Sequence, residues 1–205
     1  MVIDKEAIIE EYDRRIPLYR EFAKYLDKSL RRLIKHNKIK IHSLTFRIKT
    51  LDSFLGKIQR KQFTNPFDQV HDIIGLRIVC LFLSDINVIG NILKKEFDVF
   101  EEDNKIFDTE FSLFGYMSLH LKARLDSTDK KEFSDIPFEI QVRTIAQDAW
   151  ASISHHLDYK KKADIPEELK RDFHALSGLF YVADTHFLLI RKELSKRFAR
   201  ELDRK

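Results

Sequence analysis

The chain has 205 residues, with 37 Lys and Arg against 33 Asp and Glu and a net charge of +4. Its 43% apolar content supports a real core and excludes a disordered chain, while a mean hydropathy of −0.36 with no long apolar run excludes a membrane-spanning helix. A single cysteine, Cys80, excludes an intramolecular disulfide and a cysteine-cluster zinc site, and the five glycines form no Gly-rich phosphate loop of either common spacing. Met1 is followed by an acidic, polar segment, so no signal peptide is expected, and a soluble cytoplasmic protein is the default expectation.

Residues 4–36 carry an apolar stripe from Ile8 and Tyr12 to Leu30 and Leu33 and are expected to be helical, with Pro17 kinking or dividing the helix. Lys24, Lys28, Arg31, Lys35 and Lys38, spaced 4, 3, 4, 3, make one continuous basic face, with Arg32 beside it. Across residues 24–40 seven cations stand against Asp27 alone. Such a face is either a solvated helix surface or a phosphate-tracking surface for nucleic acid.

A second helix is expected over 50–61, a buried strand over 75–83 and a helix over 85–95. Residues 117–125 and 137–144 alternate as strands, with Ser118, His120, Lys122 and Arg124 on one side of the first and Glu139, Gln141 and Arg143 on one side of the second. A helix is expected over 145–158, with Ile145, Ala149, Trp150, Ile153 and Leu157 as its apolar face, and a long helix over 166–200. The long helix has a seam of Leu169, Phe173, Leu176, Phe180, Ala183, Phe187, Ile190 and Leu194, expected to face the chain's own core. The class is therefore α+β (mixed α/β): one mixed sheet, helices packed on it, and a helical arm at each end.

Three groups of residues could carry chemistry. Lys49, Ser53, Lys57 and Arg60 fall within about 80° of one another on a helix, with Arg47 just before them. Several fixed cations can neutralise a polyphosphate without a Gly-rich loop, although a solvent-facing amphipathic helix would look the same. Asp72 and Arg77 bracket the most apolar strand, where a charge is costly unless paired or used. Asp72 is either a Mg²⁺ ligand or half of an Asp72–Arg77 pair. Glu139, Gln141 and Arg143 offer a carboxylate, an amide and a guanidinium in a row, either a reactive face or the solvated side of an edge strand. Tyr116, after Gly115, could stack on a base, and His120 and His155 are candidate polar contacts.

Taken in order, Arg47-Ile48-Lys49, Ser53 and Lys57, Asp72-Ile73-Ile74-Gly75-Leu76-Arg77, Gly115-Tyr116-Met117-Ser118-Leu119-His120, Glu139-Ile140-Gln141-Val142-Arg143-Thr144, Trp150 and His155…Tyr159-Lys160 resemble the RelA/SpoT synthetase domain. In length the chain resembles the single-domain small alarmone synthetases. The resemblance spans about residues 40–160 and implies a nucleotidyltransferase-like mixed sheet. It also implies transfer of the β,γ-pyrophosphate of ATP to a ribose 3′-hydroxyl with Mg²⁺. Arg47, Lys49, Ser53, Lys57 and Arg77 would then contact ATP, and Asp72 and Glu139 would hold Mg²⁺, Glu139 also helping to activate the hydroxyl. Tyr116 would stack on the acceptor base, and His120, Gln141 and Arg143 would line the acceptor side.

Leu113, Phe114 and Met117 stand where guanosine-nucleotide synthetases usually carry polar or cationic residues, and Ser154 stands where a Glu is usual. In this the chain resembles the toxic small alarmone synthetases, which pyrophosphorylate the 3′-CCA end of tRNA and are neutralised by a cognate antitoxin. That likeness implies a tRNA acceptor, with Lys24, Lys28, Arg31, Arg32 and Lys35 docking its stem. The alternative it leaves is (p)ppGpp synthesis from GDP or GTP, and a third possibility, a catalytically dead RNA-binding regulator, is disfavoured because Asp72 and Glu139 are both present. The expected organisation is an N-terminal helical arm over 1–45, a pyrophosphokinase core over 46–160 and a C-terminal helix over 161–205, whose surplus apolar surface could bind an antitoxin or a second subunit.

Overall fold

The structure is a computed structural model that describes residues 4–104, 118–126, 130–159 and 167–202. Five strands form one mixed sheet in the order β1-β2-β5-β4-β3, from β1 (Ile41–Ile48), β2 (Ile74–Cys80), β3 (Asp98–Asn104), β4 (Leu119–Arg124) and β5 (Phe138–Thr144). Among the described residues only β2 and β5 pair in parallel; the other three ladders are antiparallel. Six helices are described: α1 (Lys5–His36), α2 (Leu51–Lys61), α3 (Pro66–Gln69), α4 (Leu83–Glu96), α5 (Ile145–Tyr159) and α6 (Glu167–Leu202). The mixed α/β class and the helix-flanked mixed sheet expected from the sequence are what the chain adopts.

One face of the sheet is the core. Ile74, Leu76 and Ile78 of β2, Phe138, Ile140 and Val142 of β5, and Leu119 and Leu121 of β4 are all buried there. Period-2 alternation puts these residues on one side of each strand. Phe22, Leu26 and Leu30 of α1 and Ile86, Ile89 and Leu93 of α4 complete the core. Phe22 stacks on Phe133 at 4.7 Å between centroids and meets Phe138 edge-on at 5.6 Å, aromatic geometries that add to simple burial. The first turn of α1 is capped by Asp4, whose carboxylate accepts from the Glu6 and Ala7 N–H groups at 3.0 and 3.3 Å.

Four expectations need correction. Pro17 neither divides nor ends α1, which runs unbroken from Lys5 to His36; Tyr12 on one side of it and Tyr19 and Phe22 on the other are buried, so packing outweighs the lost hydrogen bond. The row Glu139, Gln141, Arg143 is not a solvated edge, because β5 is the middle strand and all three side chains are buried. On α5, Ile145 and Ile153 are exposed while Trp150 is buried. On α6 the apolar seam does not lie on the chain's own core: Leu169, Leu176, Phe187, Ile190 and Leu194 are exposed, the buried side chains are Ser177 and Asp184, Phe180 is half-buried, and the exposed Arg191 reaches Ser84 and Asp85 of α4. The side chain of Phe173 lies outside the described residues. Among the described residues no helix is long and apolar enough to cross a membrane.

Candidate active site

The opposite face of the sheet carries the polar residues. The register sets Arg47 beside Gly75 across β1 and β2, Gly75 beside Glu139 and Arg77 beside Gln141 across β2 and β5, and His120 beside Gln141 across β5 and β4. Gly75 leaves the Arg47 side chain lying over β2, where an added Cβ would touch its Cγ and Nε at 3.6 Å. A cleft of about 200 Å³ opens here, lined by Thr45, Arg47, Gly75, Arg77 and Gln141 among others.

A continuous hydrogen-bonded ladder crosses this face. His120 Nδ1 lies 3.1 Å from Glu139 Oε1, and since an ionised carboxylate can only accept, Nδ1 carries the proton. Gln141 Nε2 donates to Glu139 Oε2 at 2.8 Å, and the Arg143 guanidinium donates to Gln141 Oε1 at 2.6 Å. Arg143 and Arg77 both donate to Asp148 Oδ1 of α5, at 3.4 and 3.2 Å. The amide of Gln141 is thus fixed in orientation by a carboxylate on one side and a guanidinium on the other.

Asp72 stands at the mouth of β2, between Lys49 Nζ at 3.0 Å and Lys57 Nζ at 2.9 Å. Lys49 is delivered by the end of β1, its N–H donating to Ile73 O at 2.8 Å, and its carbonyl accepts from the buried Tyr12 hydroxyl of α1. Lys57 comes from α2, whose first turn is capped by Thr50, with the Thr50 hydroxyl also donating to Ser53 Oγ at 2.9 Å. Burial opposes ionisation of Asp72, but Lys49 and Lys57 outweigh it and hold the carboxyl below its ordinary value. Burial likewise opposes ionisation of Glu139, and the His120 and Gln141 hydrogen bonds with the charge of Lys57 bring it down to about 2. Lys57 therefore acts electrostatically on both carboxylates.

The structure brings together Arg47, Lys49, Lys57, Asp72, Arg77, His120, Glu139, Gln141 and Arg143, with Ser53 exposed at the start of α2. The suspected Asp72–Arg77 pair does not form: each has another partner. Tyr116 lies outside the described residues. The basic residues Lys24, Lys28, Arg31, Arg32 and Lys35 of α1 are all exposed, and Arg31 also pairs with Asp27 at 2.9 and 3.0 Å and donates to Leu44 O at 2.9 Å. The sequence reading missed Asp148; its signal was an acid in the first turn of the helix that follows the Glu139-to-Arg143 strand.

Among the described residues no cluster of three His, Cys, Asp or Glu could by itself hold a metal. Asp72 and Glu139 nevertheless suit a hard divalent cation, which takes one or two carboxylates and completes its shell with water and phosphate oxygens. The buried Oδ1 of Asp72 has an ammonium beside it but no aligned hydrogen bond, so it retains a lone pair for a cation.

A polar ladder on one face of a mixed sheet, with Arg47, Lys49, Lys57, Arg77 and Arg143 on the same side, is the chemistry of a site that binds a polyphosphate. The sequence model of the "region found in RelA / SpoT proteins" matches residues 46–164. The chain is 30% identical over 202 residues to GTP pyrophosphokinase YwaC of Bacillus subtilis, covering 93% of this chain and 95% of that one. It is 30% identical over 195 residues to GTP pyrophosphokinase YjbM of the same organism, covering 91% and 92%. The crystal structure of small alarmone synthetase 1 from Bacillus subtilis superimposes with a TM-score of 0.80 at 30% identity, covering 91% of this chain and 99% of that one. The same synthetase bound to its product pppGpp gives 0.77 at 30%, over 90% and 98%, and bound to AMPCPP 0.72 at 29%, over 91% and 98%. The chain belongs to the RelA/SpoT family and is a pyrophosphokinase.

Proposed function

We propose that this chain is a (p)ppGpp synthetase, which moves the β,γ-pyrophosphate of ATP to the 3′-hydroxyl of GDP or GTP. The observation that carries the acceptor is the likeness itself: the relatives that align along nearly the whole chain are GTP pyrophosphokinases, and one of the solved structures holds pppGpp. In the transfer, the bond from the 3′-oxygen to the β-phosphorus forms as the bond from the β-phosphorus to the α-phosphate oxygen breaks, AMP leaves, and the proton of the 3′-hydroxyl is released to solvent.

Arg47, Lys49, Ser53, Lys57 and Arg77 are assigned to ATP, the cations neutralising its phosphates. Asp72 and Glu139 would hold Mg²⁺, which when bound supplies charge to the transferring pyrophosphate. Glu139, fixed between His120 and Gln141, also accepts from and orients the attacking hydroxyl. A carboxyl near 2 is a weak proton acceptor, so orientation and charge are its larger contributions. Gln141, Arg143 and His120 line the acceptor side, and Tyr116 is assigned to stacking on the guanine.

A tRNA acceptor with a cognate antitoxin is the weaker reading. Of its sequence basis, Leu113, Phe114 and Met117 lie outside the described residues and the Ser154 hydroxyl donates to Ala151 O of its own helix at 3.1 Å, while Asp27 offsets the charge of its docking face at Arg31. The test is to supply ATP labelled at the γ-phosphate with GDP or GTP and Mg²⁺ and to identify the labelled product. A labelled guanosine 3′-diphosphate is expected, lost in Asp72→Asn and Lys57→Ala; no labelled guanosine product would overturn the proposal.

A further inference from the structure

The first turn of α5 is held by a reciprocal cap. Thr144 Oγ1 accepts from the Gln147 N–H at 3.1 Å, and Gln147 Oε1 accepts from the Thr144 N–H at 3.0 Å, the pattern of a capping box. This leaves the hydroxyl hydrogen of Thr144 unused by the cap. It is donated to Asp184 Oδ2 of α6 at 2.6 Å, between residues forty positions apart. Thr144 is fully buried and Asp184 only 3% exposed. An apolar residue at 184 would pack α6 without the cost of burying a carboxylate, and burial pushes the Asp184 carboxyl above its ordinary range, with the Thr144 hydroxyl offsetting part of this. The carboxylate is thus an expensive choice for docking a helix, and its chemistry points to the hydroxyl it grips.

The residue after that cap is Asp148, which accepts from Arg77 of β2 and Arg143 of β5. A connected path therefore runs from α6 through Asp184, Thr144 and the start of α5 to Asp148 and the two arginines. We infer that Asp184 is a positioning residue of the transfer site: by accepting the Thr144 hydroxyl it fixes the first turn of α5 and so aims Asp148 at Arg77 and Arg143. The inference rests on the proposed function for what the two arginines touch, and on this structure alone for the path that reaches them. The C-terminal helix is then part of the active-site architecture through Asp184.

The test measures kcat, KM and melting temperature together. Asp184→Ala and Thr144→Val should each lower kcat/KM by ~10-fold or more, since misplacing a reacting group by about 1 Å costs up to about 10²-fold. Asp184→Asn keeps an acceptor and Thr144→Ser keeps the hydroxyl, so each should recover most of the loss. In an Asp148→Ala background, Asp184→Ala should add little, because the path is already cut; non-additivity of this kind marks residues that act as one unit. Should Asp184→Ala not fold, the Thr144→Val and Thr144→Ser pair answers the same question. The inference is overturned if Asp184→Ala lowers the melting temperature with kcat and KM unchanged, if Asn at 184 is no better than Ala, or if the losses at 184 and 148 simply multiply. Arg77→Ala and Arg143→Ala with parental activity would overturn the nucleotide assignments instead, which are read separately from the coupling between 184 and 148.

Discussion

Glu139 shows how environment selects a role for one side chain. Against burial, the hydrogen bond and charge of His120, the Gln141 hydrogen bond and the Lys57 ammonium hold it near 2, so at neutral pH it is a fixed anion. Glu139→Gln preserves the shape and removes the charge, and transfer should fall by at least ~10²-fold, the scale of a lost proton-handling or charge-stabilising group; ATP binding measured alongside should change far less. The same pKa has a stability consequence. The folded value lies below the ordinary 4.5, so ionised Glu139 stabilises the fold above pH 4.5 and this contribution is lost as the pH falls through about 2. Relative to Glu139→Gln, the parent should lose roughly 3 kcal/mol over that window, read from denaturant midpoints at several pH values; parallel curves for the two proteins would contradict it. Asp72 shifts in the same direction, so its contribution is also lost on acidification.

At the scale of elements, the strongly patterned ones were legible in the sequence. The apolar run around Ile78 and the alternation about His120 and Gln141 gave β2, β4 and β5 to within a few residues, because burial of both faces leaves a continuous apolar run and an apolar face opposite a polar one leaves a period-2 signature. Two strands left no such mark. β1 reads Ile-His-Ser-Leu-Thr-Phe-Arg-Ile with only Leu44 buried, and β3 is an acidic edge strand, Asp-Val-Phe-Glu-Glu-Asp-Asn, whose Asp, Glu and Asn are depleted in sheets. Both are strands because β2 and β4 offer unpaired backbone, a tertiary cause that local pattern does not carry. The site residues were legible by type, yet their pairing was not. Asp72 turned to Lys49 and Lys57, and Arg77 to Asp148, because α2 and α5 approach from opposite ends of β2. Pro17 illustrates the same override within α1. Its ring removes one backbone donor from an unbroken helix at an exposed position. Pro17→Ala should therefore stabilise the protein by roughly 1–2 kcal/mol, the helix gain less the added freedom of the unfolded chain. An increase in urea midpoint at constant m-value checks this; a decrease would mean that the ring itself packs.

At the scale of the whole molecule, the polar face of the sheet and the basic face of α1 are separate surfaces, and each makes a different demand on the acceptor. α1 packs on the core side through Phe22, Leu26 and Leu30, while the carboxylates and cations of the site lie on the other side. A small acceptor such as GTP has no reason to reach Lys24, Lys28 and Lys35. Replacing these three with Gln should leave conversion of GDP or GTP unchanged in rate and in salt dependence; for a nucleic-acid acceptor each lost phosphate contact would instead flatten the salt slope by about 0.9. The most direct measurement is a competition in one reaction: the purified protein, ATP labelled at the γ-phosphate, Mg²⁺, GTP and deacylated tRNA, with products separated by size. The account predicts label in pppGpp and none above background on tRNA. Label transferred to tRNA while GTP is left unconverted would contradict it.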